Sequence, residues 1–270
     1  MNKVLISGAG SGLGKAMALR YAQGGAEVCV SDVNTEGGNA TVDEINQNGG
    51  SAFFIECDIT KQWDVDKLAL TLAERWGSLD VLVNNAGVAT AGLLDYESIE
   101  QWQWVLDINV LGHVRMTKAF LSLLKASSAA DRSIINIASQ AGLTPAPGMG
   151  SYSVSKAAMI SFSETSYLEL VHEGIHVSVV CPSLFATNLN DSLRTDQPGM
   201  DKVVGNLVAK STITAEEIAE QILQEVADRK FMVVTHKDGR AAHRLKRYLP
   251  IDRYLRIMMN RTKKFVGGNG

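Results

Sequence analysis

Seven short apolar runs, Lys3–Ser7, Glu27–Ser31, Ala52–Cys57, Leu79–Asn84, Ser133–Ala138, His176–Cys181 and Phe231–Thr235, alternate with longer stretches of helical spacing. That alternation constrains the fold more than any other feature of the chain. Parallel strand neighbours need a crossover, and the helix-length segments between the runs supply one each time. Such crossovers are almost always right-handed. The expected product is an α/β fold, a doubly wound parallel seven-stranded sheet with helices on both faces. Ligands in such sheets bind beyond the carboxyl ends of the strands, so the loops after each run are where chemistry is expected.

The first of these loops is rich in glycine. In "VLISGAGSGLGKAMALR", Gly8, Gly12 and Gly14 stand between the first run and a helical pattern of Leu13, Met17 and Tyr21. Glycine is costly in backbone entropy, so three within seven residues require positive φ, close packing or close approach of a ligand. A strand-to-helix turn exposes helix N-terminal amides and the positive end of the helix dipole. A pyrophosphate is the anion that suits it, with Ser11 and Leu13 inside the turn as further contacts. A turn without a ligand is the competing reading. About twenty residues on, Asp32 ends "EVCVSD", where a carboxylate accepts from a ribose 2′-hydroxyl and repels a 2′-phosphate. Ser11, Val33 and Asn34 supply no cation there, and Lys15 is the nearest positive charge, so NAD is expected over NADP. Asp32 as a cap for the next helix is the alternative.

Other strand ends carry polar groups. "NNAG", Asn84 to Gly87, closes the fourth run with an amide pair able to tie neighbouring strands together. Asp58, in "CDIT", suits either an adenine amino group or a helix cap. In "YSVSK", Tyr152 and Lys156 are four apart and share a helix face. A phenol with an ordinary pKa near ~10 moves protons poorly at neutral pH, and a nearby cation is expected to lower it. Ser139 ends "SIINIAS", where its hydroxyl is placed to donate to a carbonyl oxygen.

Together the glycine turn, Asp32, Asn84–Gly87, Asn109, Ser139, Tyr152 and Lys156 resemble the short-chain dehydrogenase/reductase family over roughly residues 3–190. The pattern G-x-x-x-G-x-G with YxxxK resembles its shorter branch, which implies a Rossmann-like domain and an oxidoreductase acting on CH–OH donors with NAD or NADP. By that resemblance Tyr152 is the general acid/base, Lys156 lowers its pKa and holds the nicotinamide ribose, and Ser139 polarises the carbonyl. Asn109, in "LDINVLG", supports a water-linked proton relay. The resemblance implies cofactor contacts at Gly8, Ser11, Gly12, Leu13, Gly14, Asp32, Asp58, Ile59, Asn85, Ala86, Gly87, Tyr152 and Lys156. In "CPSLFATNL", Pro182 and Thr187 resemble the segment that contacts the nicotinamide amide. Ser183 departs from the usual glycine after that proline, and Ser7 from the usual threonine before the first glycine.

At 270 residues, 46% apolar and 20% charged, the chain can bury one large core. No apolar run reaches the roughly 18 residues of a membrane span. The first strand begins almost at once, so no signal peptide is expected. Cys29, Cys57 and Cys181 form no CxxC pair and are expected as reduced core thiols, so a cytoplasmic protein is expected. The five histidines form no ligand cluster, so no metal is expected.

A catalytic domain over residues 1–236 is expected to be followed by a basic extension over 237–270. Between Lys237 and Lys264 ten basic residues stand against two acidic ones, a net +8 in a chain of net −3, which leaves −11 for the remainder. Its apolar residues, among them Leu245, Leu249, Leu255 and Met259, are interleaved with the cations, a pattern suited to packing on the protein or to lying on an anionic membrane surface. Many relatives end sooner, so the usual tetramer contact through that end is in question, although a homodimer or homotetramer is expected. Leu184–Ile213 is a long connection without strong period, suited to a lid or binding loop. Leu184, Phe185, Leu189, Leu193 and Leu207 suggest a hydrophobic alcohol or carbonyl substrate such as a steroid, a retinoid or a long-chain alcohol, and no nucleic acid. A nucleotide-binding regulatory protein without turnover is the competing reading.

Overall fold

The computed structural model describes residues 1–185, 192–209, 211 and 213–266, with side chains through residue 263. The first half runs β1 (Lys3–Ser7), α1 (Gly12–Gln23), β2 (Glu27–Asp32), α2 (Thr35–Gln47), β3 (Ser51–Glu56), α3 (Gln62–Trp76), β4 (Val81–Asn84), α4 (Ile99–Leu106) and α5 (His113–Ala126). The second half runs β5 (Ser133–Ile137), α6 (Gln140–Leu143), α7 (Gly150–Leu170), β6 (His176–Val180), α8 (Met200–Ala209), α9 (Ala215–Ala227), β7 (Met232–Val233), α10 (Lys237–Tyr248) and α11 (Ile251–Val266). All seven strands pair in parallel in the order β3-β2-β1-β4-β5-β6-β7. The order reverses between β1 and β4, and a crevice at their carboxyl ends follows from that switch.

The period-two alternation of the strands builds a core on each face of the sheet. Val4, Ile6, Val28, Val30, Val81 and Val83 face one way and meet α1, α2 and α9 through Met17, Ile45 and Ile222. Leu5, Cys29, Leu82 and Ile134 face the other and meet α3 and α5 through Leu68, Leu72, Met116 and Phe120. Large apolar side chains buried in this way stabilise the fold by about 1.5–3 kcal/mol each. Cys29, Cys57 and Cys181 are all buried and free, and burial pushes the Cys57 and Cys181 thiols up to about 12.

Two expectations change. The connection from Leu184 contains a helix, α8, whose Val204 and Val208 pack with Ala91 rather than on the sheet. Val204 and Val208 are four apart, so the helical period is present in the sequence and the expectation of a connection without strong period is corrected. β7 is also shorter than its apolar run, because as an edge strand it pairs only at Val179↔Met232 and Val180↔Val233. Between α4 and α5 the chain continues through a π-helical turn, Asp107–Gly112, which carries Asn109.

The basic segment is helical and its first part is tied down. Lys246 Nζ donates to the Leu143 carbonyl at 2.6 Å, and Arg240 donates to the carbonyls of Val234 and Thr235 at 2.7 and 3.1 Å.

Candidate active site

The glycines of the first turn divide their tasks. Gly8 has φ +67° and Gly12 φ +53°, conformations that L side chains rarely adopt. A Cβ on Gly8 would also stand 2.6 Å from Ala86 Cα. Gly14 has a packing task. A Cβ there would collide with the Gly8 carbonyl, so this glycine seats α1 on β1 and does not line the cleft described below. Gly10, not singled out from the sequence, donates its N–H to Asp32 Oδ2 at 2.8 Å. The N-terminus of α1 is left open. Ser11 makes no side-chain cap and the first turn contains no acidic residue.

Asp32 is not the cap of α2. Asn34 takes that role, accepting from Gly37 N at 3.0 Å, while Asp32 Oδ1 accepts from Asn34 N at 2.9 Å. The carboxylate is half-buried at the end of β2 and lines the cleft. Lys15 is held 2.8 Å from Glu44 by an ion pair, and among the described residues lining the cleft the single cation is Lys156. Asp58 accepts from the Thr60 amide and hydroxyl at 3.0 and 2.7 Å, which organises the turn entering α3. Burial raises its carboxyl, but the Thr60 bonds and the Lys61 ammonium outweigh that and hold it below the ordinary carboxylate value.

The asparagines after β4 act as stitches. Asn84 Nδ2 donates to Asn136 Oδ1 at 2.8 Å across the β4–β5 pair, and Asn85 Nδ2 donates to the Ser7 and Gly8 carbonyls at 3.0 and 2.9 Å. Ser7 performs the same service in return, accepting from the Asn85 and Ala86 amides at 3.1 and 3.2 Å. Asn109 is fully buried behind the wall and does not line the cleft. It accepts from Val88 N at 2.9 Å and donates to Val88 O and Ser155 Oγ at 3.0 Å each. A methyl group on Gly87 would lie 3.3 Å from Asn109 Oδ1 and 3.4 Å from Lys156 Nζ. Gly87 therefore lets these two converge on one backbone segment.

His113, also missed, backs the same segment: its Nε2 donates to the Ala86 carbonyl at 2.6 Å from a fully buried ring. Burial, then the Lys156 charge, lowers its pKa to about 3, so the ring is neutral. A folded pKa depressed below the ordinary 6.5 means that the unfolded chain binds the extra proton between those values, so this ring makes stability fall as pH drops from about 6.5 to about 3. His113→Gln is expected to flatten that part of the acid-unfolding curve, measured by urea denaturation at stepped pH. An unchanged slope would assign the acid sensitivity elsewhere.

Tyr152 and Lys156 lie on the first turns of α7, both buried. The helix is anchored by Glu97, whose carboxylate accepts from Ser151 N at 3.0 Å and Ser151 Oγ at 2.7 Å. No local signal in the sequence links these residues, which are 54 positions apart. Burial holds the Tyr152 phenol above its ordinary value, and a hydrogen bond with Ser139 opposes that. The expected lowering by Lys156 is corrected here. Its ammonium donates to the Ile137 carbonyl at 3.0 Å and lies 5.8 Å from the Tyr152 ring centroid. Burial, partly opposed by Cys181, lowers the Lys156 pKa to about 8. Ser139 Oγ accepts from Ala141 N at 3.1 Å and caps α6.

One cleft of about 660 Å³ joins these parts. At one end it is lined by Gly8, Ser11, Gly12, Leu13 and Asp32, with Asp58 and Ile59 beside them. Asn85, Ala86 and Gly87 line its middle, and Ser139, Tyr152, Lys156 and Pro182 its other end. Leu184, Phe185, Val204 and Val208 add an apolar wall there, whereas Leu193 and Leu207 do not line it. Thr187 and Leu189 lie outside the described residues. Ser183, in place of the usual glycine, donates its backbone N–H to His236 Nδ1 at 3.2 Å.

Comparison with known proteins agrees with this arrangement. A family model described as short chain dehydrogenase matches residues 2–198. The chain is 37% identical over 193 residues to a 3-oxoacyl-(acyl-carrier-protein) reductase of Synechocystis sp., covering 71% of this chain and 77% of that one. It is 36% identical over 180 residues to a sorbitol dehydrogenase of Cereibacter sphaeroides, covering 67% and 69%. Among solved structures, a short chain dehydrogenase/reductase of Burkholderia phymatum in complex with NAD gives a TM-score of 0.87 at 30% identity, over 94% of this chain and 95% of that one. With the sheet order, the glycine turn and the Ser139–Tyr152–Lys156 cluster in one cleft, these matches establish that the chain belongs to the short-chain dehydrogenase/reductase family of oxidoreductases.

Proposed function

We propose that this protein is an NAD(H)-dependent oxidoreductase that interconverts a hydrophobic secondary alcohol and its ketone, or a primary alcohol and its aldehyde, with Tyr152 as general acid/base. The observation that carries the reading is the single cleft running from the uncapped first turn of α1 to Tyr152. A dinucleotide fits that path. The open amides suit a pyrophosphate, and Asp32 suits a free ribose hydroxyl in a region where Lys15 is already engaged by Glu44. When bound, the nicotinamide supplies or accepts the hydride.

The remaining work falls to the chain's own groups. Lys156 offers an ammonium to ribose hydroxyls, and Ser139 donates to the substrate carbonyl oxygen. Tyr152 gives its phenolic proton to that oxygen in reduction and takes it back in oxidation. A phenol held above its ordinary pKa carries its proton at neutral pH, so the acid is loaded for the reductive direction. Asn109 acts behind the wall by fixing Val88 and Ser155, which sets where Gly87 and Tyr152 stand. The apolar wall from Leu184 to Val208 favours a hydrophobic substrate. Exposed Ile99, Leu111, Val154 and Leu168 are apolar surface of the kind that a homodimer or homotetramer covers, which sedimentation of the native protein tests.

The deciding experiment is a turnover screen of secondary alcohols and ketones with NAD(H) and NADP(H) in parallel. Turnover that is faster with NAD(H) supports the proposal, and cofactor binding without any turnover favours a regulatory protein. Asp32→Ala is expected to weaken NAD binding by roughly 10–100-fold, the worth of hydrogen bonds to a charged group, with a smaller effect on NADP. Titration calorimetry reads both. Equal losses for the two cofactors would remove Asp32 from cofactor choice.

A further inference from the structure

The end of the basic segment presents a surface that the site does not use. Along α11, Ile251, Leu255 and Met259 recur every fourth residue and are 53%, 55% and 62% exposed, and Tyr248 at the end of α10 is 79% exposed. Residues four apart lie on one face of a helix, so these three form a single stripe. The helix turns a different apolar side inward, with Tyr254 buried and Ile257 and Met258 half-buried. The stripe is therefore not part of the packing.

Its surroundings are mixed but net cationic, with exposed Asp252 about 20° from the stripe's edge and the cations farther round. At about 100° per residue, Arg256 and Lys263 fall within about 60° of the stripe's edge. Arg244, Arg247, Arg253 and Arg261 are also exposed on α10 and α11. None of these six stands in an ion pair among the described residues, whereas Lys15, Arg20, Arg75, Arg115 and Lys125 on the body each hold a carboxylate. A bare apolar stripe beside unpaired arginines is complementary to anionic headgroups over acyl chains. A polynucleotide would match the charge but leave the stripe in water. Among the described residues no helix is long and apolar enough to cross a membrane, so any lipid contact of this helix is made at the surface.

We propose that α11, with Tyr248, docks this protein on the surface of an anionic lipid bilayer, the stripe in the boundary between headgroups and acyl chains and the arginines among the phosphates. The proposal stands apart from the choice of substrate or cofactor.

The test is co-sedimentation of the full chain with vesicles of phosphatidylcholine alone and of phosphatidylcholine with phosphatidylglycerol, at low and high salt. Binding is expected to the anionic vesicles only and to weaken with salt. Each cation near such a surface is worth about a fivefold change in partition, so Arg256→Gln with Lys263→Gln is expected to lower it about 25-fold. Leu255→Ser with Met259→Ser is expected to lower it further at high salt, where charge attraction is screened. Circular dichroism of the variants checks that these surface changes leave the fold intact. Absence of vesicle binding, equal binding to both lipids, or binding unaffected by either pair of substitutions would overturn the proposal. So would vesicle-free capture of a polynucleotide, or self-association lost in the same variants without any lipid partition.

Discussion

Replacing Tyr152 by phenylalanine is expected to lower turnover by about 10²–10⁴-fold, the usual cost of removing a general acid/base, while cofactor affinity stays within a few-fold. The ring is buried and the substitution keeps its packing, so only the hydroxyl and its bond with Ser139 are lost. A fold that is intact but inactive is the result that assigns the proton to this atom. Single-turnover measurements under chemistry-limited conditions, with cofactor binding followed by titration, separate the two quantities. A variant with near-normal turnover would take Tyr152 out of the reaction. A variant that loses turnover and cofactor binding together would make the residue structural instead.

Lys156 connects function with stability. Its folded pKa is about 8 against an ordinary 10.5, so between those values the unfolded chain binds more protons and wild-type stability rises with pH. Below about 8 the buried ammonium carries its full penalty. The shift corresponds to about 3 kcal/mol at 1.36 kcal/mol per unit. Lys156→Met is therefore expected to abolish turnover while its stability relative to wild type falls by about 3 kcal/mol as pH rises through that window. The change across the window is the informative quantity. Loss of the bond to the Ile137 carbonyl shifts all points alike, and the buried thiols titrate in both proteins. Urea unfolding of both proteins at stepped pH measures it. A difference independent of pH would mean that the ammonium is not desolvated in the folded chain.

Much of the architecture was legible in the sequence because its signals are local. Strand runs of alternating apolar residues, separated by helix-length segments, imply a parallel doubly wound sheet, and the structure has all seven strands. Gly8 and Gly12 mark the turn because positive φ is a property of single residues. The spacing of Tyr152 and Lys156 puts both on one helix face, but that spacing is common on surface helices, and only the company of the glycine turn, Asp32 and Ser139 makes the pair a candidate.

Only the tertiary structure decided which way those groups are used. At Gly14 the close approach of the Gly8 carbonyl emerges only from the fold, because a missing Cβ serves packing or ligand contact alike until the neighbouring backbone is placed. Lys156 and Tyr152 share a helix, yet the ammonium turns to the Ile137 carbonyl on β5, and burial of the phenol outweighs the Ser139 bond. Glu97 at the head of α7 and His113 behind Ala86 bond to partners 54 and 27 positions away, so no window of sequence contains either pair. The sequence by itself determined the sheet, the turn and the chemical groups at the strand ends. The tertiary structure decided their burial, their backing and the path of the cleft, because burial and long-range hydrogen bonds exist only once the chain has closed on itself.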